Sequence, residues 1–135
     1  MQTKLYVKKS GLPEAGKGLF TRNFIKKGTY IIEYTGYIIT WKRVLEIEKH
    51  TGVYNQYLYY VNRNHVIDAT KCPDALARYI NDARGLSKKT GVINNCKFTE
   101  KGKEVFIEAL KDILPGEEIL ISYGKEYWDI IKNIL

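Results

Sequence analysis

Apolar positions in this chain come mostly in short β-branched and aromatic runs broken by turn residues, a pattern that predicts strands far more often than helices. Tyr30-Ile-Ile-Glu-Tyr34 follows Gly28 and passes through Thr35-Gly36 into Tyr37-Ile-Ile39, which reads as strand, bend, strand. Gln56 to Val61 and His65 to Asp68 flank Asn62-Arg63-Asn64 and predict a hairpin, because asparagine tolerates the left-handed backbone of tight turns. A second hairpin is expected from Asn94–Thr99 and Glu104–Ala109 around Lys101-Gly102, and Pro115-Gly116 marks a turn before a strand over Ile119–Ser122. Helical spacing is confined to three places. Thr40 caps a predicted helix from Trp41 to about Lys49, with Gly52 closing it; Pro73-Asp74 opens a short turn through Ala77 and Arg78; and Tyr127, Ile130, Ile131 and Ile134 recur at helical intervals. Asp82 to Val92 reads as loop. The expected class is a β-rich α+β domain without repeats, low-complexity segments or a linker.

Composition narrows this picture. With 135 residues, 44% of them hydrophobic and 13% aromatic, the chain can bury one core, so residues 1–135 are read as a single domain. No run approaches the ~18 apolar residues of a membrane helix, and the start is too polar for a secretory signal, so a soluble intracellular protein is expected. Cys72 and Cys96, without such a signal, are expected to be free thiols. His50 and His65 lack the spacing that would join them to the cysteines in a zinc site, so no metal is expected. The net charge of +7 favours acidic partners such as nucleic acid, chromatin or acidic protein surfaces. It is distributed as pairs, Lys8-Lys9, Lys26-Lys27, Lys42-Arg43 and Lys88-Lys89, which serve equally as a solubilising surface.

Four separated stretches carry a more specific signal. Gly16-Lys17-Gly18-Leu19-Phe20, Glu33-Tyr34-Thr35-Gly36, Ala77-Arg78-Tyr79-Ile80-Asn81, and Gly116-Glu117-Glu118-Ile119 with Ser122-Tyr123-Gly124 resemble, in order and spacing, the signatures of the SET-domain protein-lysine methyltransferases. The likeness spans roughly residues 4–128, with a C-terminal helix at about 124–134, and is nearest in form to the minimal members of viruses and microbes. A dinucleotide loop is a poorer reading of Gly16-x-Gly18, since Thr21 stands where the third glycine would be. The resemblance implies small curved sheets around a pseudoknot and S-adenosylmethionine as methyl donor. It further implies that Lys17, Gly18 and Leu19 meet the donor through backbone, that Asn81 binds its amino-acid part beside Arg78 and Tyr79, that main chain at Asn81 and Asp82 meets the adenine, and that Trp128 stacks on it. The chain departs from the family at Asp82, where most members carry histidine, and at Ala83 and Arg84, where they carry serine and cysteine. Asp82 could add an acceptor near the adenine.

Methyl transfer from a sulfonium to an amine is an in-line displacement, so the lysine must be neutral, dry and aligned. Its pKa of about 10.4 falls when a narrow apolar channel strips water from the ammonium. Eleven tyrosines suit such a channel, since aromatic faces favour cations and grip an aliphatic stem. Tyr123 is the candidate catalytic residue, acting by position and electrostatics rather than as a simple base, because a phenol near pKa 10 accepts protons poorly at neutral pH. Tyr57, Tyr59, Phe98 and Ile121 are the candidate walls of the lysine channel. Phe98 and Ile121 carry no hydroxyl where family members that restrict methylation hold a water, which implies di- or trimethylation. A histone tail is the commonest family substrate, which would put the protein at chromatin in the nucleus, its basic surface near DNA. A non-histone target, or a non-catalytic basic module binding chromatin or nucleic acid, are the alternatives. Minimal members include homodimers, and the sequence leaves the oligomeric state open.

Overall fold

The computed structural model describes residues 4–52, 57–84 and 89–124. They form three three-stranded antiparallel sheets that share one core. In the first, β1 (Leu5–Lys9) pairs with β2 (Lys17–Thr21), and β2 with the short β9 (Glu118–Ile119). In the second, β8 (Glu104–Ala109) lies between β3 (Tyr30–Glu33) and β7 (Cys96–Lys101). In the third, β6 (His65–Asp68) lies between β4 (Tyr37–Ile39) and β5 (Leu58–Asn62).

The expected hairpins are present, with Lys101 paired to Glu104 across Gly102 and Asn62 to His65 across the Arg63-Asn64 turn. Strand β8 shows why its sequence is a strand: Val105, Ile107 and Ala109 point into the core while Glu104 and Glu108 stay outside, the period-two alternation of a half-buried sheet. Helix α1 (Trp41–Thr51) begins where the Thr40 hydroxyl accepts the Arg43 N–H at 3.1 Å, and ends where the Gly52 N–H bonds the Glu48 carbonyl at 2.8 Å. It runs two residues past the expected Lys49, because Gly52 is the first residue to leave the helical backbone. The predicted turn after Pro73 is a 3-10 helix, Leu76–Tyr79.

Two strands were not legible in the pattern. Strand β1 is only partly buried, and β2 is hidden inside the Gly16–Phe20 motif; pairing with each other and with β9 makes them strands. The bend at Gly36 has a steric cause: a Cβ there would lie 2.5 Å from the Asp68 carbonyl oxygen and 2.9 Å from the Ala69 nitrogen. Only glycine lets β4 approach β6 so closely.

The core lies where the sheets meet, with Leu19, Val105, Ile107, Ile113, Ile119 and Ile121 wholly excluded from solvent. Through it runs the segment after β9. On one side Leu120 bridges Asn81 in parallel, and the Ile121 N–H bonds the Asn81 carbonyl at 2.9 Å. On the other, Ile121 bridges Cys96, and the Asn95 and Cys96 N–H groups both reach the Leu120 carbonyl. Asn95 completes the clamp, its side chain accepting the Leu120 N–H and donating to the Glu118 carbonyl, each at 2.9 Å. The chain is thus threaded between two of its own segments, the pseudoknot that the resemblance implied, and leaves it at Tyr123. The expected helix at 124–134 lies outside the described residues.

Candidate active site

At the mouth of the threaded segment is a cavity of about 380 Å³, lined by Ala15, Gly16, Lys17, Tyr57, Arg78, Tyr79, Asn81 and Tyr123. Four elements converge on it: the turn before β2, the approach to β5, the 3-10 helix and the end of the threaded segment.

Arg78, Tyr79, Asn81 and Tyr123 are each fixed by hydrogen bonds to the surrounding chain. The Arg78 guanidinium donates to the carbonyls of Ala69 and Thr70 at 2.8 and 2.9 Å, lies 4.2 Å from the Tyr57 ring centroid and 5.1 Å from that of Tyr79, and has no carboxylate partner among the described residues. Its buried Nε makes no hydrogen bond. A cation fixed by ring faces and carbonyls keeps its charge available to an anionic ligand. Tyr79 is tied down by its hydroxyl, which donates to the Pro73 carbonyl at 3.0 Å.

Asn81 links the cavity wall to the glycine turn. Its Nδ2 donates to the Lys17 carbonyl at 2.9 Å and lies 3.5 Å from Glu118 Oε2. The Glu118 carboxylate also accepts from the Ser10 hydroxyl at 2.7 Å and the Gly11 N–H at 3.0 Å, so one acid organises the turn between β1 and β2. Gly18 is the gap into which that carboxylate fits, since a Cβ there would lie 2.3 Å from Oε2.

Tyr123 is fixed at two points. Its backbone N–H donates to Asp82 Oδ2 at 2.8 Å, and its phenol donates to the Ile80 carbonyl. The proton of the hydroxyl is therefore committed to the protein, and the oxygen presents lone pairs rather than hydrogen to an incoming group.

The remaining expected residues take other positions. Gly18 and Leu19 do not line the cavity, and the Leu19 side chain is wholly in the core; of this strand it is Lys17 that reaches the cavity wall. Asp82, 3% exposed, turns its carboxylate toward protein N–H groups. Tyr59 and Phe98 pack against each other, ring centroids 4.9 Å apart, and each lies 6.2 Å from Tyr34, forming an aromatic cluster. The Tyr59 hydroxyl donates to Glu100 at 2.9 Å; burial, then that bond and its negative charge, push its pKa up from the ordinary 10.0. Ile121 is fully buried within the pseudoknot. Trp128 lies outside the described residues. Glu118, Ser10 and Asn95 escaped the sequence reading as site residues; the sequence offered only an acid in the Gly-Glu-Glu-Ile run, and its place beside the glycine motif comes from the β2–β9 pairing.

Comparison with known proteins identifies the family. A family described as "SET domain" matches residues 16–124. The chain is 32% identical over 116 residues to the N-lysine methyltransferase KMT5A-A of Danio rerio, covering 81% of this chain and 32% of the relative. It is 33% identical over 120 residues to the histone-lysine N-methyltransferase ASHH1 of Arabidopsis thaliana, covering 84% of this chain and 23% of that protein. Among solved structures, a humanized mutant of the Chaetomium thermophilum Polycomb Repressive Complex 2 bound to an inhibitor superposes with a TM-score of 0.69 at 28% identity, over 92% of this chain and 15% of that one. The chain spans about a third or less of the length of these relatives.

Proposed function

The chain belongs to the SET-domain family, and on that premise we propose that it transfers methyl groups from S-adenosylmethionine to the side-chain amine of a lysine in a protein. The observation that carries this reading is the Tyr123 phenol, hydrogen-bonded to the Ile80 carbonyl at the wall of a cavity that Arg78 and Asn81 share.

The residues present fit the donor. Arg78, a cation without an acidic partner among the described residues, and the amide of Asn81 suit its amino-acid end. The turn at Gly16, with no heavy atom within 4 Å of the place a Cβ would occupy, leaves backbone accessible. Gly18, Leu19, Asp82 and Trp128 complete the proposed set, the first three through main chain. When bound, the donor supplies a methyl group on a sulfonium sulfur. The chain's own task is then to orient and dry the amine. With its O–H donating a hydrogen bond to the Ile80 carbonyl, the Tyr123 oxygen would accept an N–H of the substrate amine and turn the nitrogen lone pair toward the methyl group. In this reading Tyr57 on the cavity wall, and the Tyr59–Phe98 pair packed on Tyr34 away from that wall, are the aromatic surfaces along which the lysine stem would lie, excluding water and lowering the amine's proton affinity. Phe98 and Ile121 bring no hydroxyl to hold a restricting water, so the product is the di- or trimethyl state.

The proposed substrate is a histone tail, the protein acting at chromatin as a single SET domain over residues 1–135. The outer face of β1 and β2 supports a place near DNA. Lys8 sits 4.5 Å over the Phe20 ring and Arg22 4.3 Å over that of Tyr6, both cations exposed and pre-set for phosphate contact. No helix among the described residues is long and apolar enough to cross a membrane.

The test is incubation with labelled donor and a panel of histones and cell lysate, wild type against Tyr123→Phe. Label on a histone that drops by about a hundredfold in the variant, the scale of losing one pre-set polar group, supports the reading. Equal labelling by both proteins removes Tyr123 from the chemistry, and no label on any target favours a non-catalytic module.

A further inference from the structure

Building on that reading, we infer that Asp82 is the positioning residue of Tyr123, acting through a half-buried clasp with Asn94. The threaded ladder ends at Ile121, whose N–H bonds the Asn81 carbonyl. Beyond it, backbone pairing gives way to a side chain: Asp82 Oδ2 accepts the Tyr123 N–H at 2.8 Å. Asp82 Oδ1 accepts the Arg84 N–H at 2.8 Å and Asn94 Nδ2 at 2.9 Å. Asn94 is itself oriented, because its oxygen accepts the Ala83 N–H at 2.8 Å. The phenol of the same tyrosine reaches the Ile80 carbonyl. Ile80 and Asp82, two residues apart on one stretch of chain, thus hold Tyr123 at its hydroxyl and at its backbone, and sliding the strand or rotating the ring breaks one of the two ties.

The clasp demands a carboxylate. Among the described residues three N–H donors meet these two oxygens, and an isosteric amide offers only one acceptor. In Asp82→Asn, turning the amide oxygen toward Arg84 and Asn94 keeps two bonds and sets an NH₂ group against the Tyr123 N–H. The opposite orientation sets that group against two donors, so the first is favoured and the tie to Tyr123 is the one cut. Adding Asn94→Asp reverses the choice. The amide nitrogen then faces a carboxylate, the amide oxygen turns back to Tyr123, and only the bond from the Arg84 N–H is lost.

The experiment compares wild type, Asp82→Asn and the double variant Asp82→Asn/Asn94→Asp, with kcat and KM for a lysine peptide and hydrogen exchange at the Tyr123 amide. In Asp82→Asn, kcat is expected to fall by about ten- to a hundredfold, the size of one charge-assisted hydrogen bond. KM should stay within about twofold, since the bound state loses no contact, and the Tyr123 amide should exchange at least about tenfold faster. The double variant should recover most of both. Asp82→Asn with unchanged kcat and unchanged Tyr123 protection overturns the inference, as does a double variant impaired as much as the single one, which would indicate nothing more than a damaged turn. If the wild type transfers no methyl group, the proposed function fails while the exchange pattern of the three proteins still decides whether the clasp exists.

Discussion

Substituting alanine for Gly18 puts the link between the glycine turn and the acid beneath it to a quantitative test. The added Cβ would sit 2.3 Å from Glu118 Oε2, 3.0 Å from its Cδ and 3.2 Å from the Ser10 Cβ. Carbon and oxygen tolerate nothing so close, and the carboxylate must withdraw by about 1 Å to reach ordinary contact. That movement breaks the 2.7 Å bond from Ser10 and strains the 3.0 Å bond from Gly11. A hydrogen bond to a charged acceptor is worth roughly 1.5–3 kcal/mol, and water can replace part of it at this half-buried site, so a loss of about 2 kcal/mol is expected. For a chain of this length that lowers Tm by roughly 7 °C. Urea denaturation of wild type, Gly18→Ala, Glu118→Ala and the double variant closes the cycle. With the carboxylate gone only the 3.2 Å approach to the Ser10 Cβ remains, which a shift of a few tenths of an ångström relieves, so Gly18→Ala in the Glu118→Ala background should change stability by less than about 1 kcal/mol, alanine being no worse than glycine on a strand. Additive losses would refute the argument, because they would mean that the methyl group is accommodated elsewhere than against Glu118.

Two further expectations follow from the core. Cys96 is fully buried, and burial pushes its pKa from the ordinary 9.0 up to about 12. The unfolded thiol therefore ionises first, and the protein should lose stability as pH rises from 9 to 12, by up to about 1.4 kcal/mol per pH unit from this group. Denaturation curves across that range should be flatter in Cys96→Ala, and in native protein at neutral pH iodoacetamide should spare Cys96 until denaturant is added. Gly36→Ala brings a Cβ against the main chain of Asp68 and Ala69 rather than a movable side chain. It should separate β4 from β6 at a cost of about 3 kcal/mol, read as a larger fall in the urea midpoint than Gly18→Ala produces.

The sequence by itself determined the elements whose signals are local. Alternation specified β8, turn residues located both hairpins, Thr40 and Gly52 bounded the helix, and the order of four motifs identified the family and named Tyr123, Asn81 and Arg78 as candidates, which the fold brings to one cavity. Tertiary structure alone decided the rest, because the deciding partners are far apart along the chain. The strands β1 and β2 exist through pairing that includes β9, nearly a hundred residues from β2. Glu118 reaches Ser10 across 108 positions, and Asp82 reaches the backbone of Tyr123 across 41. Periodicity and propensity carry no information about such contacts. They are specified by the threading of the chain through itself, which sets a carboxylate beneath a glycine turn and another behind a tyrosine, where burial makes each hydrogen bond count.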